Sequence, residues 1–225
     1  MTLVLAIDCA VSGLGVAVVR NGECLSSVRE EGRDQAAGLI PAVASVLHKA
    51  GVKRPDLRLI AVTVGPGSFT GVRVGLSAAR GLALGLGLPL AGLATTSVLI
   101  AQAGSADRLV VAAVDSRLGD WFCAVGEATE TPFAATAADL AVRLRGRSCV
   151  IIGADVGRLV GELAAAGIDA RAETAGIDPA VLARLALAPG VDYWRASNAS
   201  DGLPRPLYLR GVSVTLPDGG RRTVD

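Results

Sequence analysis

The segment over residues 59–87 constrains the fold of this chain more than any other part of the sequence. An apolar run, a glycine-rich turn and a stretch with helical spacing follow one another there, which predicts a buried strand that leads into a helix. Gly65 and Gly67 suit a turn that needs a positive φ or a close backbone approach. Ser68 or Thr70 is a suitable N-cap, because a short hydroxyl side chain accepts a hydrogen bond from the first turn of a helix.

The glycine-rich turn allows two interpretations. A strand that ends in such a turn before a helix points backbone N–H groups and the positive end of the helix dipole at one place, which suits an anion. The turn matches neither the P-loop nor the GxGxxG motif, so a purely structural connection is the alternative. Both interpretations stay open at the level of the sequence.

The helix after the turn carries a row of small residues at four-residue spacing. The row consists of Gly71, Gly75, Ala79, Ala83 and Gly87. Residues four apart share one helix face, so another element can approach this face closely. Glycine inside a helix costs about 0.5–1 kcal/mol relative to alanine, and tight packing is the expected compensation. The row is predicted to pack either against the protein's own core or against a helix of another chain.

The composition is typical of a well-buried α/β protein. The chain has 225 residues, of which 51% are hydrophobic and 3% aromatic, so its core is built from Ala, Val, Leu and Ile. This length suits one large domain or two small lobes. The formal net charge of +1 provides no basic excess for strong nucleic-acid binding by the chain alone.

Location is predicted from the cysteines and the apolar segments. The cysteines show no CxxC pair, which predicts reduced thiols in a cytoplasmic protein; they are Cys9, Cys24, Cys123 and Cys149. Asp8 interrupts the first apolar run and no basic segment precedes it, so we expect no secretory leader. Residues 81–106 lack charged side chains, but glycine and proline interrupt them, which favours a buried core over a membrane span.

The order of predicted elements indicates two α/β lobes. In the first half we predict strands at 3–7, 13–20, 23–29 and 59–64, and helices at 36–50 and 70–87. In the second half we predict strands at 108–115, 121–125 and 149–152, and helices at 139–144, 155–166 and 178–187. The resulting domains are a first lobe over 1–100, a second lobe over 101–215 and a loose tail over 216–225.

Four stretches of the sequence resemble the TsaB (YeaZ) family. They are LAID at 5–8, GPGSFTGVR at 65–73, VDSR at 114–117 and PLYLR at 206–210. The resemblance extends over about residues 1–210, and the stretch at 65–73 is its most specific part. It implies an actin-like (ASKHA) fold related to ribonuclease H, with two lobes of mixed sheets flanked by helices.

The resemblance also implies a function. The TsaB family is similar to the catalytic subunit TsaD but lacks its chemistry, and it acts as a noncatalytic partner of TsaD. With the ATPase TsaE, the complex transfers threonylcarbamoyl to the adenosine next to the anticodon of tRNA. The resemblance therefore implies a scaffold without an intrinsic cofactor, with ATP or ADP only at the level of the complex. A homodimer is expected when the partner is absent.

The implied interface with TsaD lies on the helices that match 34–50 and 70–87. Its candidate residues are Leu39, Val43, Gly71, Arg73, Gly75, Ala79, Arg80 and Ala83. Arg73 or Arg80 is expected to pair with carboxylates at the rim of the interface. A bulky residue at Gly75 then abolishes the complex and leaves the fold intact; unfolding would instead show that the row faces its own core.

The main alternative is an actin-like enzyme that transfers a phosphoryl group from ATP. Its cleft would be lined by Asp8, Gly65, Gly67, Ser68 and Asp115. This chain has Cys9-Ala10 where the family often has Thr-Ser, which leaves fewer hydroxyls for phosphate. Asp8 is therefore predicted either to cap the turn at Ser12-Gly13 or to contact a ligand.

A metallopeptidase is a weaker alternative, because the chain has one histidine. The related catalytic subunits hold a metal with two histidines on a helix, and His48 has no second histidine to bind with. We expect His48 at the exposed end of a helix, where a positive charge is favourable. Asp115 and Arg117 are predicted either to form an ion pair near the cleft or to belong to a solvated turn.

Overall fold

The computed structural model of the chain describes residues 1–11, 13–32, 34–104 and 107–209, and the backbone of two further strands. These two strands, Val212–Thr215 and Arg221–Val224, pair with each other in an antiparallel hairpin. The prediction of a loose tail over 216–225 otherwise falls on residues 216–220 and 225, which lie outside the described residues.

The first sheet has five strands in the order β3-β2-β1-β4-β5. They are β1 (Leu3–Asp8), β2 (Leu14–Arg20), β3 (Glu23–Glu30), β4 (Leu59–Thr63) and β5 (Leu90–Leu93). The first three form an antiparallel meander, and β4 and β5 run parallel to β1. Asn21 and Gly22 connect β2 to β3 with φ of 48° and 90°, which is the backbone that a tight hairpin turn requires.

The second sheet repeats this topology in the order β10-β9-β6-β7-β8. Its strands are β6 (Leu109–Asp115), β7 (Trp121–Val125), β8 (Phe133–Ala135), β9 (Cys149–Gly153) and β10 (Ala170–Thr174). β6 takes the place of β1, with a meander on one side and two parallel strands on the other. The prediction of an α/β protein with two mixed sheets is confirmed.

Seven α-helices among the described residues enclose the two sheets in layers. They are α1 (Gln35–Lys49), α2 (Phe69–Leu86), α3 (Thr95–Gln102), α4 (Ala137–Leu144), α5 (Gly157–Ala165), α6 (Pro179–Leu187) and α7 (Val191–Asp201). α1 and α2 cover the outer face of the first sheet, and α4 and α5 cover the outer face of the second. α3 and α6 share one apolar core with residues of both sheets. No helix among the described residues is long and apolar enough to cross a membrane.

The last part of the chain returns to the first sheet. α6 packs against β1 and β2, and α7 lies beside the edge strand β5. The Asn198 amide accepts a hydrogen bond from the Leu90 N–H at 2.7 Å and donates to the Leu90 carbonyl at 3.0 Å, so it completes the edge of the sheet. The lobe boundary at residue 100 stays a prediction, but α6 and α7 pack with the first sheet although the predicted division assigned them to the second lobe.

Candidate functional site

The glycine-rich turn packs directly against the connection between β1 and β2. A Cβ atom on Gly67 would lie 2.4 Å from the Ala10 carbonyl oxygen, and the Ser68 N–H donates to the same oxygen at 2.8 Å. Gly65 has a φ of +99°. The glycines are therefore needed for a close backbone approach and a left-handed conformation, which favours the structural interpretation of the turn.

Ser68 is the N-cap of α2. Its hydroxyl accepts a hydrogen bond from the Gly71 N–H at 3.2 Å, while Thr70 lies inside the first turn of the helix. Of the two predicted caps, the structure therefore selects Ser68.

Four of the five small residues in the predicted row on α2 face the protein's own core, while Gly87 is the exposed C-cap of the helix. A Cβ atom on Gly71 would lie 2.0 Å from the Cys9 carbonyl oxygen, and one on Gly75 would lie 3.3 Å from Cys9 Cβ. The buried members of the predicted interface are Leu39, Val43, Gly71, Gly75, Ala79 and Ala83. The placement of these six residues on a partner surface is wrong, because neighbours in the same chain already cover them.

Arg80 is likewise engaged within the chain. Its Nε donates to the Pro204 carbonyl at 3.0 Å, and its Nη2 donates to the carbonyls of both Leu203 and Pro204. Residues 203–209, here the C-terminal strap, also bind through the Leu207 N–H, which donates to the Val64 carbonyl at 2.8 Å. The prediction that Arg80 pairs with a partner is therefore corrected: this arginine holds the strap.

The opposite side of α1 and α2 is open. It points away from the sheet and is called the outer helix face; its exposed residues are Ala37, Ile40, Ala44, Ser77, Gly81, Leu84 and Gly85. Ile40 is 54% exposed and Leu84 is 72% exposed. A Cβ atom on Gly81 or Gly85 would meet no atom within 4 Å. α2 thus carries a second row of small residues, which the sequence prediction missed.

Asp8 is buried at the end of β1 and is held by the chain itself. Its carboxylate accepts hydrogen bonds from the Thr63 hydroxyl at 2.5 Å and from the Ala10 N–H at 3.1 Å. Burial raises the pKa of this carboxyl from 3.8 to about 6, although those hydrogen bonds and the charge of Arg29 act in the opposite direction. Asp8 therefore caps the turn after β1; Ser12, which the predicted cap included, lies outside the described residues.

The cavity beside Asp8 is too small for a nucleotide. It has a volume of about 100 Å³, whereas pockets for small-molecule ligands have volumes of roughly 300–1,000 Å³. Arg29 closes one end by donating to the carbonyls of Gly176 and Ile177 at 3.0 and 2.9 Å. The other four predicted cleft residues do not line this cavity; they are Gly65, Gly67, Ser68 and Asp115. An ATP site on Asp8 does not fit this geometry.

Asp115 belongs to a hydrogen-bonded turn after β6. Its carboxylate accepts from the Arg117 backbone N–H at 2.7 Å and lies 3.3 Å from the Arg158 guanidinium. The Arg117 side chain is 78% exposed and lies 4.0 Å from Asp155. Of the two predicted arrangements, the solvated turn is therefore observed, and the ion pair of Asp115 is made with Arg158.

His48 is exposed in the last turn of α1, as the sequence predicted. Within the described parts of the chain, no group of three or more His, Cys, Asp or Glu side chains is arranged to hold a metal ion.

The raised pKa of Asp8 predicts how stability depends on pH. Its folded-state value of about 6 exceeds the ordinary 3.8, so the folded protein binds this proton more tightly and loses that advantage as the pH rises through 6. The difference corresponds to about 3 kcal/mol. In urea unfolding at pH 4 and pH 7.5, we expect the free energy of unfolding of Asp8→Asn, relative to that of the unchanged chain, to be higher by roughly that amount at pH 7.5 than at pH 4. A difference between the two proteins that is the same at both pH values would contradict this.

Comparison with known proteins identifies the family. TsaB from Escherichia coli is 36% identical over 124 residues, which is 54% of this chain and 53% of that protein. TsaB from Bacillus subtilis is 32% identical over 117 residues, which is 52% of this chain and 51% of that protein. The family model TsaD, tRNA N6-adenosine threonylcarbamoyltransferase, matches residues 29–143, about half of the chain. The chain belongs to the TsaD family, in its TsaB (YeaZ) branch. The predicted resemblance is confirmed.

Solved structures of the TsaB (YeaZ) branch share the whole fold. YeaZ from Pseudomonas aeruginosa superposes with a TM-score of 0.73 at 25% identity, over 93% of this chain and 100% of that one. An activator of 2-hydroxyisocaproyl-CoA dehydratase from Clostridium difficile has a TM-score of 0.51 at 12% identity, which is a likeness of fold alone. The predicted actin-like, ribonuclease-H-like fold class is confirmed. The chain spans about half the length of the curated relatives that it matches.

Proposed function

We propose that this chain is a noncatalytic subunit of a complex that makes threonylcarbamoyladenosine on tRNA, and that it docks on a TsaD-type catalytic subunit through the outer helix face. The observation that carries the proposal is the combination of exposed apolar and open glycine positions on α1 and α2. The names of the relatives support the pathway, since TsaB proteins are named for threonylcarbamoyladenosine biosynthesis.

The outer helix face has the properties of a helix-packing surface. Leu84 and Ile40 are apolar side chains whose exposure to water is unfavourable. Exposed apolar patches of this kind mark interaction sites. Ser77, Gly81 and Gly85 are four residues apart, so a helix of a partner can approach the α2 backbone closely. The same surface can also pair with a second copy of the chain when the partner is absent.

The geometry near Asp8 supports a role without chemistry. The carboxylate is occupied by Thr63 and Ala10, and the adjoining cavity of about 100 Å³ leaves no room for a nucleotide. The subunit is therefore proposed to provide a surface and an orientation. Transfer to tRNA belongs to the TsaD-type subunit, and a TsaE-type ATPase supplies ATP or ADP binding in the complex. The complex is proposed to work in the cytoplasm.

Reconstitution tests this function. The TsaD-type and TsaE-type subunits of the same organism are given threonylcarbamoyl adenylate, ATP and tRNA, and the modified adenosine is measured by mass spectrometry. We expect product only when this chain is added, and no ATP hydrolysis by the chain alone.

Asp8→Asn is the matched variant, because it distinguishes a scaffold from a phosphotransferase. A scaffold keeps its effect in this variant, since Asp8 is structural, whereas a phosphotransferase loses its activity. Product formation that does not depend on this chain would contradict the proposal.

A further inference from the structure

An arginine at the start of α2 contacts two exposed aromatic rings. The Arg73 guanidinium carbon lies 3.2 Å from the centre of the Phe69 ring and 5.3 Å from the centre of the Tyr208 ring. The two rings are 6.2 Å apart, and Phe69 and Tyr208 are 53% and 45% exposed. Arginine over an aromatic face is a favourable cation–π arrangement that also restrains the guanidinium.

Among the residues that the structure describes, no acidic side chain pairs with the Arg73 guanidinium. The ion pairs formed by the described residues involve other arginines, and the hydrogen bond found for Arg73 is a long one of 3.5 Å to the Phe69 carbonyl. Arg80, further along the same helix, has its Nε and one terminal nitrogen bound to the strap. Arg73 is therefore a restrained cation whose remaining donors are available, and restraint lowers the entropy that binding costs.

The helices around Arg73 carry charge of one sign. Neither α1 nor α2 contains Asp or Glu, while Lys49, Arg73 and Arg80 are basic. A second copy of the chain that pairs through this face brings like charges together, so the homodimer formed without the partner is expected to be the weaker complex. A partner that presents a carboxylate is favoured instead, because complementary charge selects the partner and its orientation.

We propose that Phe69, Arg73 and Tyr208 form an anchor for a carboxylate side chain of the catalytic subunit that docks on the outer helix face. This inference rests on the proposed function. The strap supplies the second ring, because Leu207 and Arg80 fix the segment that carries Tyr208. The C-terminal strap is thus part of the docking surface, and the anchor favours the complex of unlike subunits over a homodimer.

Titration of the full chain with the TsaD-type subunit, by calorimetry at low and high salt, tests the anchor. We expect Arg73→Glu to weaken the complex about 100-fold and Arg73→Ala about 10-fold, with a smaller salt dependence in the alanine variant. Tyr208→Ala is expected to weaken binding several-fold and Tyr208→Phe hardly at all, since the ring is what restrains the guanidinium.

Arg143→Glu is the matched control, because Arg143 also lies over a phenylalanine ring, Phe133, at 4.2 Å but on α4 of the second lobe. We expect less than about a twofold change for it. Equal affinities of Arg73→Glu and Arg143→Glu overturn the anchor, and so does an Arg73→Glu effect confined to tRNA binding. If the anchor is overturned but the unchanged chain binds and Leu84→Arg does not, docking through the outer helix face still stands. If no complex forms at all, the anchor and the docking proposal both fail.

Discussion

Gly71→Ala is expected to destabilise the chain by about 3 kcal/mol, because the added Cβ would lie 2.0 Å from the Cys9 carbonyl oxygen. The clashing atom belongs to the backbone just after β1, so it cannot move aside as a flexible side chain would. For a protein of this size, the loss lowers the melting temperature by roughly 10 °C. Thermal unfolding followed by circular dichroism measures it.

Gly81→Ala is the matched control on the same helix. Its added Cβ meets nothing within 4 Å, so the better helix propensity of alanine is expected to stabilise the chain by about 0.5–1 kcal/mol. Equal melting temperatures for the two variants would contradict the assignment of the Gly71 row to the core. Gly75→Leu is expected to behave like Gly71→Ala, in contrast to the prediction from the sequence that it would affect only the complex.

Leu84→Arg is expected to weaken the complex with the TsaD-type subunit at least 100-fold while the chain stays folded. Leu84 is 72% exposed, so the change removes no core packing, but it places a charge on an apolar helix face that a partner would have to desolvate. The affinity is measured by calorimetry, and the melting temperature of the variant alone should stay within about 2 °C.

Val142→Arg is the corresponding change on the second lobe. Val142 is 65% exposed on α4, away from α1 and α2, so its replacement should leave the affinity unchanged. A complex that tolerates Leu84→Arg but not Val142→Arg would move the interface to the second lobe and contradict the proposed docking face.

An apolar run identified the central strands of both sheets from the sequence. β1, β4 and β9 are buried along their whole length, and their apolar stretches identified them. β10 was missed because Ala170–Thr174 is an exposed edge strand without such a run. α7 was missed because none of its residues is buried, so no apolar periodicity marks it.

The candidate site was predicted only in part, because α2 has small residues on both sides. The spacing of Gly71 and Gly75 indicated close packing, but the side on which a partner lies depends on the carbonyl of Cys9, more than 60 residues earlier in the chain. Arg73 and Arg80 likewise cannot be told apart from the sequence, because their spacing places both on one polar face of the helix. Only the contact of Arg80 with Pro204, 124 residues away, shows which of the two arginines remains available.

The central claim is tested most directly by the molar mass of the species that forms when this 22.7 kDa chain is mixed with the TsaD-type subunit of the same organism. Size-exclusion chromatography with light scattering should show a one-to-one complex for the unchanged chain and for Val142→Arg, and separate subunits for Leu84→Arg. Separate subunits for the unchanged chain, together with ATP hydrolysis by the chain alone, would contradict the account and favour an actin-like phosphotransferase.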